Sequence, residues 1–349
     1  MKRFLVVAIG VLTACAATAE EKWLSFQGEV GPGKGKHIVL VSGDEEYRSE
    51  ETMPMLAKIL SHRHGFDCTV LFSWSEDGAY IDPNNAGGIL GWDQLAKADL
   101  VIVGTRMRTL TPEDAKHMTD YLNSGKPIVG YRTSTHAFKG SWKFDTITGN
   151  DWGRKIVGET WVSHHGGHKV QGARGVIEPA NKDHAVLNSV KDVFGPSDVY
   201  GVKNLTDKDT ILLRGAVTET LDPASKNVEG KKNDPMMPLA WLHPYTAPDG
   251  ERTGQAFCTT MGASVDFLSE DLRRVVVNAT YHLLGLKVLD KADVDFVDPF
   301  HPSFYGFWNG KNAKIWKERG LVASDFGLGK TPAAINPPGT PAWPFTPKK

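Results

Sequence analysis

The residues able to do chemistry fall into two sets. The first comprises Gly43-Asp44-Glu45-Glu46-Tyr47-Arg48, then Arg106 and Arg108, then Arg132-Thr133-Ser134-Thr135-His136. Carboxylates and guanidinium forks together suit a polyhydroxylated ligand, whose hydroxyls both donate and accept. Arginines also grip carboxylates or phosphates in bidentate fashion. The bland alternative is that Arg106, Arg108 and Arg132 pair with Asp44, Glu45 and Glu46 and only tie loops together. The second set is His164, His165 and His168 around Gly166-Gly167, with His243 distant in Trp241-Leu242-His243-Pro244-Tyr245. Two close imidazoles plus a remote one are compatible with zinc or another transition metal, with His165, His168 and His243 as candidate ligands. His136, His165 or His243 would serve equally as a general acid or base, because imidazole titrates near neutrality.

Arg132 stands at the most telling place. Pro127-Ile128-Val129-Gly130-Tyr131 reads as a short buried strand, and Arg132 opens the turn after it. Hydrolases often place a Ser or Cys nucleophile on such an elbow. A guanidinium is a permanent cation with no lone pair to offer, so Arg132 cannot attack anything. The turn is either a disarmed elbow or one adapted to an electron-rich ligand.

Alternating elements must position these loops. His37 to Ser42, Asp67 to Ser73, Asp99 to Gly104 and Pro127 to Tyr131 are continuous apolar strand signals. Between the first two lies a helix with Met53, Leu56, Ala57 and Leu60 on one face, which places Pro54 in its first turn. Thr111-Pro112-Glu113-Asp114 opens another, with a hydroxyl cap, Pro at the first position and acids in the first turn. The alternation predicts a flavodoxin-like α/β fold, a parallel sheet with helices on both faces. Right-handed crossovers then carry all the strand carboxyl ends, and the loops named above, to one edge. Val170 to Ile177, Val199 to Lys203, Thr210 to Leu213, Leu239 to His243 and Gln255 to Thr260 are further strand-like runs, some of which extend the sheet. Ser269 to Leu284 reads as a capped amphipathic helix.

The chain's 349 residues and formal net charge of −1 describe an enzyme-sized protein with no global field for nucleic acid. Lys2 and Arg3, an apolar run from Phe4 to Ala14 and small residues thereafter form an export signal. Cleavage after Ala19 gives a periplasmic protein (signal 1–19). Leu12-Thr13-Ala14-Cys15 offers a lipobox instead (signal 1–14), making Cys15 a lipid anchor and the sole membrane attachment. Cys68 and Cys258 lie in apolar runs, where a thiol is buried and inert. Residues 36–287 form the predicted domain, and 288–349 an aromatic and Pro-rich extension.

These motifs resemble the ThuA-like (trehalose utilisation) family, a branch of the class I glutamine amidotransferase-like fold, in its exported planctomycete-type form. The resemblance rests on Ser42 to Glu51, Arg106-Met107-Arg108-Thr109-Leu110, Gly130 to Phe138, Leu239 to Tyr245 and Thr259-Thr260-Met261-Gly262. It implies a carbohydrate ligand; from the chemistry of the residues themselves, Asp44, Glu45, Tyr47, Arg48, Arg106, Thr135 and Trp241 would bind it. Arg132, His136, His165 and His243 would act on a sugar or keto-sugar by isomerisation, elimination or hydrolysis. A non-catalytic sugar-binding module of the envelope is the alternative. Two departures stand out: Arg132 replaces the amidotransferase nucleophile, which excludes glutaminase chemistry, and Gly262-Ala263 replaces a late Gly-His.

Overall fold

A computed structural model describes residues 21–341; residues 1–20, which contain the expected export signal, and residues 342–349 lie outside the described residues. Strands β1 (Trp23–Phe26), β2 (His37–Gly43), β3 (Asp67–Leu71), β4 (Leu100–Thr105) and β5 (Ile128–Tyr131) come first, with helices α1 (Ser49–His62) and α2 (Pro112–Asn123) as crossovers. A small hairpin, β6 (Lys143–Phe144) and β7 (Ile147–Thr148), stands apart. Then follow β8 (Ala173–Ile177), β9 (Val193–Gly195), β10 (Thr210–Val217), β11 (Met237–Thr246), β12 (Thr253–Thr259), α3 (Glu270–Leu283) and α4 (Ile315–Arg319).

The main sheet has ten strands in the order β1-β3-β2-β4-β5-β12-β11-β10-β8-β9. Its middle, β3-β2-β4-β5-β12, is wholly parallel. This is the doubly wound flavodoxin order, with the direction of winding reversing between β2 and β4. The remaining strands pair antiparallel. The expected α/β fold is therefore present as a mixed sheet: of the later strand-like runs, 255–260 joins the parallel middle within β12, and 170–177, 210–213 and 239–243 contribute to an antiparallel wing.

Alternation along each strand sends side chains to opposite faces. Ile38, Leu40, Leu100 and Ile102 pack with Met53 and Leu56 of α1 and Leu272 and Val275 of α3. Val39, Val41, Val101 and Val103 pack with Met118 and Leu122 of α2 on the other face. Both caps foreseen in sequence are used: Thr111 Oγ1 accepts from Asp114 N at 3.1 Å, and Ser269 Oγ from Leu272 N at 3.3 Å.

Two local expectations fail. Pro54 lies inside α1, because the helix already begins at Ser49, whose hydroxyl accepts from Gly43 N and Asp44 N and ties the strand end to the helix start. Residues 199–203 form no strand. Val199 O is spent on His165 N and Gly166 N, and Tyr200 makes only an isolated bridge to His164. The backbone there serves the histidine loop instead of the sheet.

The extension is packed, not appended. Ser303 N donates to Glu51 Oε2 at 2.8 Å, Gly306 N to Glu46 O at 2.8 Å, and Phe304 and Tyr305 are buried. Among the described residues, no helix is long and apolar enough to cross a membrane.

Candidate functional site

The elbow after β5 turns sharply. Arg132 has φ +46°, in the left-handed region that non-glycine residues seldom occupy, and such strain gathers at functional sites. Its backbone N–H is fixed by Met261 O at 3.1 Å. Its side chain has no access to solvent. Nη1 donates to Asp198 O at 2.6 Å and Thr260 O at 2.8 Å; Nη2 donates to Asp198 Oδ1 at 2.9 Å and Tyr47 Oη at 3.1 Å. The Tyr200 and Tyr47 rings cover the guanidinium at 3.8 and 4.5 Å. Burial alone would lower its pKa, yet the Tyr200, Tyr47, Asp198 and Asp266 oxygens raise it, so the cation is permanent. Arg132 thus has its Nη donors taken, and its unpartnered Nε is sealed from solvent. It supports Asp198.

Asp198, itself buried, distributes that support. Its Oδ2 lies 2.7 Å from His164 Nδ1 and its Oδ1 3.2 Å from His168 Nδ1. Burial pushes its carboxyl upward, but Arg132 and the hydrogen bonds of His164 and His168 prevail and hold it below the usual carboxylate range. His168 continues the chain, its Nε2 3.5 Å from Glu46 Oε1. Burial, with Asp44 adding to it, raises the Glu46 carboxyl to about 7 against the pull of Arg106 and Arg132.

Above this buried relay, several groups retain some exposure. Arg106 binds Glu45, and its Nε lies 3.4 Å from Glu46 Oε2, while the Phe307 ring sits 5.0 Å from its guanidinium carbon. His136 neighbours Trp161 at 6.0 Å, and Trp161 neighbours His164 at 5.8 Å between ring centroids. Burial, then Arg106, Arg132 and His164, lower the His136 pKa to about 3, so it is a neutral imidazole at physiological pH. Trp161 and Phe307 are among the exposed large hydrophobic residues. Glu45, Glu46, Arg106, His136, His164 and His168, with these two rings, therefore cluster at the carboxyl edge of β2, β4 and β5, where a doubly wound sheet opens its crevice.

The sequence-derived candidates divide accordingly. Glu45, Arg106 and His136 belong to the crevice. Thr135 is buried beneath it, its Oγ1 3.1 Å from His136 Nδ1. Tyr47 is a buried support, stacked on Tyr305 at 5.1 Å. Asp44 closes its own loop, accepting from Glu46 N, Tyr47 N and Thr133 Oγ1. Arg48 is buried away from the crevice, 2.7 Å from Glu50 and over the Trp316 ring of α4. Trp241 is wholly buried and spends its indole N–H on Val157 O at 2.8 Å, so it has no surface for a ligand.

The expected metal set is not assembled. His243 pairs with Ala256, which aligns with Ile128 at the start of β5, so it lies toward the opposite sheet edge; its Nδ1 is 2.6 Å from Asp209. His165 turns to Lys232 O at 2.7 Å, away from Asp198. Among the described residues, His164, His168 and Asp198 are the group whose ligand atoms converge, all within 4.8 Å. Asp198 carried little signal because it stands alone among acids, one residue before the strand-like run Val199 to Lys203. An acid embedded in Phe194-Gly195-Pro196-Ser197-Asp198-Val199-Tyr200 was the available signal. Trp161 carried no signal beyond being aromatic.

Two solved structures similar to this chain are putative ThuA-like proteins. That from Parabacteroides merdae is 15% identical, with TM-score 0.46 over 73% of this chain and 92% of its own. That from Bacteroides uniformis is 12% identical, with TM-score 0.44 over 74% and 95%. No curated protein is significantly similar in sequence. The ThuA family model, described as trehalose utilisation, matches residues 37–283, most of the chain and all of the parallel sheet, and the protein belongs to the ThuA family.

Proposed function

We propose that this chain is an exported protein of carbohydrate utilisation that binds a sugar or keto-sugar in the crevice and moves a proton beside its carbonyl. Family membership supports the carbohydrate role in general terms. The observation carrying the finer reading is the meeting of charged, imidazole and aromatic groups at one mouth. Arg106, Glu45 and Glu46 match hydroxyls, and Trp161 and Phe307 match the apolar faces of sugar rings. In an isomerisation or elimination, neutral His136 takes the proton from the carbon next to the carbonyl. Arg106 stabilises the enolate oxygen, and the proton returns to a neighbouring carbon or to the departing oxygen. No nucleophile is needed.

A second reading, sugar binding without turnover, is favoured by the enclosure of Arg132, the residue at the nucleophile position. Calorimetry and turnover measured together on keto-disaccharides separate the two. Turnover that falls at least tenfold in His136→Gln, with binding retained, supports proton transfer. Binding without turnover in the parent leaves the module, and neither binding nor turnover on any saccharide tried rejects both. Export rests on the first nineteen residues, and intact mass of the native N-terminus distinguishes free release from lipidation at Cys15.

A further inference from the structure

We propose that His164, His168 and Asp198 form a binding site for one divalent transition-metal ion, of the zinc class, opening into the crevice. The inference goes beyond the sugar reading and does not require it.

His168 lies between two carboxylates, with Nδ1 3.2 Å from Asp198 Oδ1 and Nε2 3.5 Å from Glu46 Oε1. A neutral imidazole carries one N–H, so it can satisfy one of these acids and must present a lone pair to the other. With its N–H toward Glu46, the ring turns its Nδ1 lone pair to the side on which Asp198 and His164 stand. A carboxylate taking the outer N–H of a metal-bound histidine is the usual supporting arrangement around such ions.

His164 completes the set. Its Nδ1 addresses the other oxygen of the same carboxylate at 2.7 Å, and the two imidazole centroids are 4.5 Å apart. Donors around a tetrahedral zinc, with bonds of about 2.0–2.2 Å, are roughly 3.3 Å from one another. Ligand atoms no more than 4.8 Å apart need only a small closure to reach that spacing. Behind them Asp198 is clamped by Arg132 and cannot swing away. In front, the His164 and His168 side chains keep 36% and 28% exposure, leaving a fourth position open to the crevice. Two imidazoles, one carboxylate and an open corner describe a catalytic rather than a closed structural site. There the ion acts as a Lewis acid on a carbonyl or hydroxyl oxygen of the crevice ligand.

The test reads metal directly. Protein purified without chelator is assayed by elemental analysis; stripped protein is then titrated with Zn²⁺ and Co²⁺, following Tm and the visible ligand-field absorption of cobalt. About one bound equivalent is expected, with a rise in Tm and a tetrahedral or five-coordinate cobalt spectrum. His164→Ala and His168→Ala lose these signals with unchanged far-UV circular dichroism, while His165→Ala keeps them. Folded parent protein that takes up no metal overturns the proposal. Uptake unaltered by both variants also overturns it. Metal binding without sugar turnover rejects only the catalytic reading, and turnover by metal-free protein with no uptake rejects only this one.

Discussion

At the scale of single residues, Arg132 carries the most structural weight. It is a buried cation whose Nη donors are matched to a carboxylate, two carbonyls and a phenol. Removing one member of a buried, hydrogen-bonded pair strands the other charge, at about 3–5 kcal/mol. Arg132→Met is therefore expected to lose about that much in urea unfolding, with less added cost when Asp198→Asn is combined with it. His64 provides a pH signal far from the crevice. Its ring nitrogens lie 2.9 Å from Tyr281 Oη and 2.8 Å from Asp293 O, and burial lowers its pKa despite the opposing pull of Asp293. A depressed folded pKa means that its contribution is fully present above the unfolded value of about 6.5 and is lost as pH falls below it. His64→Gln, compared with the parent in chemical unfolding at about pH 7 and about pH 5, is expected to lose less stability on acidification.

At the scale of elements, loops do more than the strands they follow. The 44–48 loop, the elbow and the 161–168 loop place the crevice groups, and the 303–308 segment closes one side although it lies beyond the region matched by the family model. Tyr305 lies against Tyr47 and His168, at 5.1 and 5.3 Å between centroids, and Phe307 covers Arg106. Phe307 is 37% exposed, so Phe307→Ala is expected to change stability by no more than about 0.5 kcal/mol. The same substitution should weaken saccharide affinity several-fold in calorimetry, because a stacking face is lost. Equal affinity in the variant would remove the ring from the binding wall.

At the scale of the whole molecule, the extension shares the core of the sheet. Val294, Ala323 and Phe326 pack in the cluster that holds α1, α3 and the apolar face of β2 and β4. The 303–308 segment is expected to open with the sheet. Hydrogen exchange at Ser303 and Gly306 N–H should be slow and should vanish with the β2 and β4 amides along a denaturant series. Early, separate exchange there would show an independent flap over the crevice.

Local chemistry alone determined the parallel half of the fold. Apolar runs of strand length, a capped α2 and a capped α3 are signals of short range, and doubly wound geometry then brings the strand ends to one edge. The absence of a nucleophile at the elbow was also legible, since Arg132 is a fact of the sequence. What tertiary structure decided was which polar residues face outward. Arg48, Asp44, Tyr47, Thr135 and Trp241 are spent on buried partners, and His165 and His243 on Lys232 and Asp209. Asp198 entered the site from a chain distance that no spacing rule reaches. The physical reason is that a buried polar group must be satisfied by whatever the fold brings near it. Pairing across 66 residues, as between Arg132 and Asp198, leaves no periodic trace in the chain.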